Sequence, residues 1–464
     1  MRDAPFPCSY GGAVASASGK AYKANMLSQK SSKIAAIESD RRNACPGLSR
    51  MVMARDGAIA RIKLKLGRLS ADQARSIAAI AEHFDAGAIE LSIRSNIQLR
   101  GIAPQHWNEA VAALHEAGLG ANNPGADDIR NVMVSPTAGI DRGRICDVTG
   151  LASSVLDMLQ ANEAFYVLSP KFSLQIDGGE DCAMISHPGD IWFSAIDGEA
   201  FAFGLASSPD AEALGAIGAQ HALPFIEAML RHFLRQGSFA RMKHLFKITT
   251  PLEFLAGLNR ELSFQIQPAT GWKRKAPTPL SHLGNSQQSD GSFYLGVMPL
   301  MGRLTTQQLI GLADLCDSGR SELRLTPWQG VILPWVSKTQ IVELTQKLRS
   351  LDLETTAETP HARLRACSGS NGCISALADT QTDGRNLATL LAPGTAPVHI
   401  TGCGKSCAAL APLPYTLLAC STGRYDLYAE ERFPQDRAGP SRFGQLLATD
   451  ITIDEAARLL NARH

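Results

Sequence analysis

The chain has 464 residues, too many for one ordinary core, so it divides into several domains. Its 45% hydrophobic and 19% charged residues are those of a globular enzyme, not of a disordered or fibrous chain. A net charge of +1 argues against broad nucleic-acid or membrane-surface binding, and no apolar run is long enough to span a bilayer.

Residues 1–41 are rich in Ser, Ala, Lys and Gly and lack a continuous apolar stretch. They read as a loosely ordered extension, not a secretory signal, with Met26 as an alternative start. Cys45 lies in A-C-P-G and reads as a turn cysteine. Within 42–125, Ile62, Leu64 and Leu66 alternate with Lys63 and Lys65, a half-exposed strand. Ser70 with Gln73 has the spacing of a capping box, and Ile77, Ile80, Ala81 and Phe84 follow at helical spacing. Ile89, Leu91 and Ile93, then Ile97 and Leu99, give two further strands.

An α+β segment follows over 126–268. Tyr166–Ile176 and Ile191–Ile196 read as strands, and Ala213–Gln236 as a helix interrupted by Pro224. His244 reads as a helix-terminal cation. Residues 269–289, with Pro277, Pro279 and Gly284, read as a linker. Residues 290–357 repeat the first unit. Phe293, Leu295 and Val297 alternate, Thr305 and Gln308 repeat the capping box, and Leu309, Leu312, Ala313 and Cys316 form a helix stripe. Leu323 with Leu325 and Val331 with Leu333 close the unit. G-R-L-S-A-D-Q at 67–73 matches G-R-L-T-T-Q-Q at 302–308, so the two units are an internal duplication. Residues 358–464 form a last α+β domain, with a strand at Val398–Thr401 and a terminal helix at Ile453–Leu460.

Four cysteines stand in that last domain as C-x5-C, Cys367 and Cys373, and C-x3-C, Cys403 and Cys407. Short spacings among glycines and serines suit an iron–sulfur cluster or a structural zinc. Zinc more often uses C-x2-C, so a cluster is preferred. Gly404-Lys405-Ser406 resembles the end of a phosphate loop, but His399 stands where its first glycine would be. The other six cysteines, Cys8, Cys45, Cys146, Cys182, Cys316 and Cys420, form no framework, which fits a reducing cytoplasmic setting. In I-R-S-N-I-Q-L-R-G, residues Arg94, Asn96, Gln98 and Arg100 alternate, so a strand puts all four on one face. That face is either solvated or a grip for carboxylates.

The paired cysteine motif, the A-C-P-G run at 44–47 and the I-R-S-N-I-Q-L-R-G run resemble the siroheme-dependent sulfite and nitrite reductase superfamily. The likeness is closest to its precorrin-3B synthase branch and covers the chain from about Arg42. The resemblance implies an α+β fold with a duplicated nitrite/sulfite reductase-like architecture. Two ferredoxin-like half-domains, 42–125 and 290–357, are related by a pseudo-twofold axis and accompany two α+β domains. The 126–268 domain would bind the tetrapyrrole. Cys367, Cys373, Cys403 and Cys407 would hold a [4Fe–4S] cluster, with Cys407 as the residue bridging to a siroheme iron. A second iron centre, siroheme or non-haem, is expected beside it. Arg94, Arg130 and Lys171 would be the catalytic cations. Asn96, Gln98, Arg100, Asn131 and Lys405 would join them in binding substrate. Lys171-Phe172-Ser173 matches the superfamily's lysine pair only at its first position, which weakens sulfite reduction as the activity. Implied are precorrin-3A as substrate, O2 as co-substrate, hydroxylation at C20 with γ-lactone formation, and reduced nicotinamide, directly or through a reductase, as donor. Two alternatives stand beside this: a siroheme sulfite or nitrite reductase, and a non-catalytic iron–sulfur electron carrier or redox sensor.

Overall fold

A computed structural model describes residues 45–316, 322–409, 411–430 and 442–463. The N-terminal extension, with Cys8, Met26 and Ala44, lies outside them. The first half-domain contains β1 (Val52–Ala54), β2 (Gly57–Ile62), β3 (Arg68–Ser70), α1 (Ala71–His83), β4 (Ala88–Leu91), β5 (Ile97–Ile102) and α2 (Trp107–Glu116). The first α+β domain contains β6 (Val132–Met133), α3 (Thr149–Ala161), β7 (Leu174–Asp177), β8 (Ile191–Ala195), β9 (Ala200–Leu205), β10 (Gly215–Gly218), α4 (Ala222–Arg235) and α5 (Pro251–Asn259). The second half-domain follows with β11 (Gly284–Gln287), β12 (Phe293–Val297), β13 (Arg303–Leu304), α6 (Thr306–Cys316), β14 (Glu322–Leu325), β15 (Val331–Val336) and α7 (Ile341–Ser350). The last domain has β16 (Leu364–Ala366), α8 (Thr380–Leu390), β17 (Val398–Thr401), β18 (Tyr415–Ser421), β19 (Arg424–Ala429), β20 (Gln445–Ile451) and α9 (Ile453–Asn461).

The two half-domains exchange strands. β3 pairs antiparallel with β14 through Leu69 and Leu323, and β13 pairs with β4 through Arg303 and Glu90. The sheets therefore run β1-β2-β5-β4-β13 and β11-β12-β15-β14-β3, each lending the other an edge. The chain enters each exchanged strand through a left-handed pair, Leu66-Gly67 at φ 55° and 71°, and Met301-Gly302 at φ 51° and 71°. Such angles are unfavourable for leucine and methionine, and burial of both side chains holds them there. Both capping boxes form. Gln73 N–H donates to Ser70 Oγ at 3.1 Å, and Gln308 N–H to Thr305 Oγ1 at 3.1 Å. Ile77 of α1 and Leu312 of α6 meet Ile62, Leu99, Leu295 and Leu333 in one core shared by both halves. Each such fully buried side chain contributes roughly 1.5–3 kcal/mol.

The two α+β domains repeat each other as well. β6, β7 and β8 are parallel, and β9 and β10 follow antiparallel. β16, β17 and β18 are parallel, and β19 and β20 follow antiparallel. The first sheet packs on a phenylalanine-rich core with Phe193, Phe203, Phe225 and Phe233, the second on one with Leu387, Ile400, Leu417 and Leu460.

Three sequence expectations differ from the structure. The strand expected over Tyr166–Ile176 begins only at Leu174, because Tyr166 turns back to donate its hydroxyl to Gln160 O at 2.6 Å. The Ala213–Gln236 helix begins at Ala222 after the strand β10. Pro224 sits in its first turn, where a missing N–H costs no intrahelical bond. The 269–289 segment ends in β11, an edge strand. Among the described residues, no helix is long and apolar enough to cross a membrane.

Candidate functional site

The β4–β5 turn, the segments entering β6 and β7, and the loops leaving β16 and β17 carry the residues singled out in the sequence. The I-R-S-N-I-Q-L-R-G run is not one strand. Ser92 Oγ accepts the N–H groups of Arg94 and Asn96 at 3.4 and 3.1 Å, and Ser95 is left-handed at φ 54°. Arg94 and Asn96 therefore sit on a tight turn, and only Gln98 and Arg100 remain on β5.

The turn places Arg94 opposite Arg130, and the two help line a small crevice with Leu64, Leu66, Asn96 and Asn131. Arg94 donates from its terminal nitrogens to Pro170 O at 3.4 Å and Lys171 O at 3.2 Å. Burial pushes its guanidinium down to about 10; Arg241 and Arg61 add to the drop, while Asp190 and Cys45 oppose it. Arg130 keeps Nε and Nη1 buried with no hydrogen-bond partner, and burial likewise lowers its pKa against the pull of Asp127. Arg61 also keeps Nε buried and unpartnered, while its Nη2 donates to Gln98 Oε1 at 2.9 Å. Burial lowers Arg61 too; the Cys45 and Cys407 thiols and Asp127 pull the other way, and Arg100 adds to the drop. Arg61 thus stands within electrostatic reach of both Arg94 and Cys407.

Lys63, expected on a half-exposed strand, is 2% exposed. Its Nζ donates to Asp127 O at 2.5 Å and lies 3.8 Å from Asp127 Oδ2 and 4.0 Å from Asp128 Oδ1. Burial pushes it down to about 8 despite those carboxylates, with Arg61 and Arg130 adding to the drop. The half-buried Arg61 and Arg130 and the buried Lys63 outnumber the two buried carboxylates among them, Asp127 and Asp128. Isolated buried charge is costly, so such a cluster fits a polyanionic ligand.

The remaining sequence-selected residues brace the walls. Asn96 Oδ1 accepts Leu64 N–H at 2.9 Å, and Asn131 Nδ2 donates to Asp128 O and Pro170 O at 2.8 and 2.9 Å. Arg100 grips Asp56 at 2.9 and 3.0 Å, stands 3.6 Å from Glu90, and donates to Gly372 O at 2.6 Å. It fixes the backbone beside Cys373, where the strand-face reading had it facing a ligand. Lys171 is exposed at the rim. Lys405 Nζ donates to Ser375 Oγ at 2.8 Å and so straps one cysteine loop to the other. Arg241 and His187 lie within electrostatic reach of Arg94, and neither was singled out in the sequence. Burial, Arg94 and Arg241 push the His187 imidazole down to about 3. No local motif marks it, since Arg94 and Arg241 come from two distant segments. Arg61 carried a readable mark, a basic residue alternating with Lys63.

Cys367 leaves β16 and accepts Gly402 N–H on its sulfur at 3.3 Å, so the loops leaving β16 and β17 touch. Cys407 is exposed as a residue, yet partial burial of its sulfur pushes the thiol up to about 11. The thiols of Cys367, Cys403 and Cys373 add to the rise, and Lys405 opposes it. The other three thiols are thus all within electrostatic reach of Cys407. They do not close on a point: among the described residues, no three His, Cys, Asp or Glu side chains form a ready metal sphere. Four thiols with a backbone N–H aimed at one sulfur are the donor set an iron–sulfur cluster needs. A roomier cleft lined by Ala88, Arg303, Arg349, His361 and Arg385 shares no lining residue with the crevice.

Comparison with known proteins now decides the family. Residues 53–117 and 286–351 match the nitrite/sulfite reductase ferredoxin-like half domain, and 125–266 match the nitrite and sulphite reductase 4Fe-4S domain. The chain belongs to the nitrite and sulfite reductase superfamily. The family implies a [4Fe–4S] cluster. The four cysteines expected to hold it lie outside the stretch matched to the 4Fe-4S domain, in the second copy of the same sheet topology. Among superfamily relatives, the precorrin-3B synthase of Sinorhizobium sp is 26% identical over 396 residues, covering 83% of each chain. The ferredoxin–nitrite reductase of Synechococcus elongatus is 29% identical, covering 75% of this chain and 73% of its own. A solved structure, the NirA protein of Mycobacterium tuberculosis, superposes with a TM-score of 0.70 at 21% identity, over 87% of this chain and 79% of that one, and shares the fold.

Proposed function

We propose that this superfamily member is an oxygen-dependent enzyme of the precorrin-3B synthase type. The observation that carries the reading is the set of buried, unpartnered guanidinium atoms of Arg61 and Arg130 beside Arg94, in reach of Cys407. A uroporphyrin-derived macrocycle presents a ring of acetates and propionates that such cations would hold bidentately. When bound, the cluster supplies electrons singly. Arg61, Arg94 and Arg130 hold the acid arms, Lys171 guards the rim, and Arg100 keeps the Cys373 loop in place. The reaction inserts one oxygen atom of O2 at C20 of precorrin-3A. The other atom leaves as water, with two electrons and two protons supplied by a reductant, and the ring A acetate closes a γ-lactone. The donor is reduced nicotinamide, directly or through a carrier; a ferredoxin is the donor named for several relatives.

A second reading is a siroheme sulfite or nitrite reductase, favoured by the number of relatives bearing those names. Ser173, where the resemblance expects a second lysine, speaks against it. The deciding experiment is incubation of the purified protein with precorrin-3A, reductant and 18O-labelled O2, then mass analysis. A product heavier by one labelled oxygen is expected. Unaltered precorrin-3A, together with intense siroheme bands and sulfite or nitrite turnover, would overturn the oxygenase reading.

A further inference from the structure

The loop between Cys367 and Cys373 is held from outside. Every second residue in it is bonded to the first half-domain. Ser368 Oγ donates to Glu90 Oε2 at 3.1 Å, Arg55 Nη1 donates to Ser370 O at 3.0 Å, and Arg100 Nη2 donates to Gly372 O at 2.6 Å. Of these three tethers, only Glu90 is anionic. Glu90 is 7% exposed, and its Oε1 accepts Arg303 Nε and Nη2 at 3.0 and 2.7 Å. Arg100 Nη1 stands 3.6 Å from its Oε2. One buried carboxylate thus joins β4, the β13 strand of the second half-domain and the cysteine loop.

The duplication repeats this tether with the opposite charge. β13 sets Arg303 opposite Glu90 as β3 sets Arg68 opposite Arg324, so Arg324 is the counterpart of Glu90. Ser368 lies four residues beyond the start of β16, and Pro136 four beyond the start of β6. Arg324 Nη1 donates to Pro136 O at 3.2 Å and to Ala138 O at 2.8 Å. Both copies therefore use this strand position to hold the loop leaving the first parallel strand. The copy with the four thiols puts a negative charge there. Arg100, against which Glu90 lies, is within electrostatic reach of Cys373. The reduction potential of a cluster follows the net charge and the hydrogen bonds around it, so a carboxylate here opposes the gain of an electron that the arginines favour.

We propose that Glu90 is a positioning residue of the cluster: through Ser368 it fixes the first cysteine loop, and its charge holds the reduction potential down against Arg100 and Arg303. The proposal rests on Cys367 and Cys373 as cluster ligands and not on which substrate is turned over. Wild-type, Glu90→Gln and Ser368→Ala proteins are loaded with iron and sulfide, and the midpoint of the cluster is read by a redox titration followed by electron paramagnetic resonance. Glutamine keeps the shape and can still accept the Ser368 hydroxyl. Glu90→Gln is therefore expected to keep its iron and to take up the electron about tenfold more readily, a rise of about 59 mV for a one-electron couple. Ser368→Ala keeps the charge and cuts the tether. It is expected to leave the midpoint in place and to release iron to a chelator about tenfold faster. An unmoved midpoint in iron-replete Glu90→Gln overturns the proposal, as does unchanged iron release from Ser368→Ala. If Glu90→Gln fails to fold, Arg303→Gln removes the facing cation instead; its midpoint is expected to fall, and an unmoved value overturns the proposal. A wild-type protein that takes up no iron defeats the ligand assignment and this proposal together, whereas unmoved midpoints at full iron defeat this proposal alone.

Discussion

The duplicated halves build two hollows, and their linings differ. The β4–β5 and β14–β15 turns have the same length and the same left-handed residue, Ser95 in one and Gln329 in the other. The first turn carries Arg94; at the equivalent place the second carries Trp328. Arg61 pairs with Gln98 as Gly296 pairs with Ile332, so Gly296 is the counterpart of Arg61 and Met298 that of Lys63. Arg130 stands two residues before β6, and Ala362 two residues before β16. Met298, Ala362 and Leu283 form a closed apolar cluster with Trp328 packed on it, and His282 stacks on the Trp328 ring at 4.2 Å and 8°. The fold supplies a cavity twice, and a few side chains decide whether it is filled by packing or left for a ligand.

The loops differ in the same way. Those leaving β6 and β7 are tied by hydrogen bonds: Thr137 Oγ1 donates to Asp141 Oδ2 at 2.7 Å, and Cys182 N–H to the same atom at 3.1 Å. Those leaving β16 and β17 bring four thiols together. Polar groups tie both pairs of loops, but only the second pair carries the four thiols proposed as cluster ligands.

The largest break in that comparison should come from Cys373→Ser. Iron, sulfide and the broad visible absorption should be lost, and the 358–464 domain should melt at lower temperature, because metal binding contributes to folding. Cys182→Ser, in the other copy, should leave iron content unchanged, and equal iron loss in both would erase the distinction. Next come the two hollows. Arg130→Ala should weaken tetrapyrrole binding about tenfold or more in a fluorescence-quenching titration. Trp328→Ala should leave that affinity alone and lower stability by about 2 kcal/mol in urea unfolding. The reverse pattern would assign the ligand to the wrong hollow.

The smallest effect concerns Lys63. Its ammonium is held near 8 in the fold against an ordinary value of 10.5, so the folded state carries its full penalty below pH 8. Between about pH 8 and 10.5 the unfolded chain keeps a proton that the folded one has released, so this contribution to stability rises with pH. Wild-type stability measured by denaturant titration should climb across that window relative to Lys63→Met, which copies Met298 of the other half. Parallel pH profiles would show that burial does not depress Lys63.

The duplication was readable because G-R-L-S and G-R-L-T carry local information: a left-handed glycine and a cap act within a few residues. The cysteine pairs were readable for the same reason. Alternation, by contrast, gives a face but not what covers it. Lys63 looked half-exposed, yet Asp127 and Asp128 close over it from 64 residues away. Arg94 and Asn96 looked like strand residues because the Ser92 side chain that bends the turn does not disturb the alternation. His187 was invisible, since its neighbours Arg94 and Arg241 arrive only through tertiary packing. The repeat of the two α+β domains survives in strand order alone.

The swapped edges also bear on how the protein is made. β4 waits for β13, more than 200 residues downstream, before its sheet is complete. Until the second half has left the ribosome, the nascent first half shows an unpaired sheet margin, a template for wrong association. A gene cut between the halves would yield two fragments that are sticky apart and compatible only when synthesised together, and iron loading at the far end of the chain would follow that reunion.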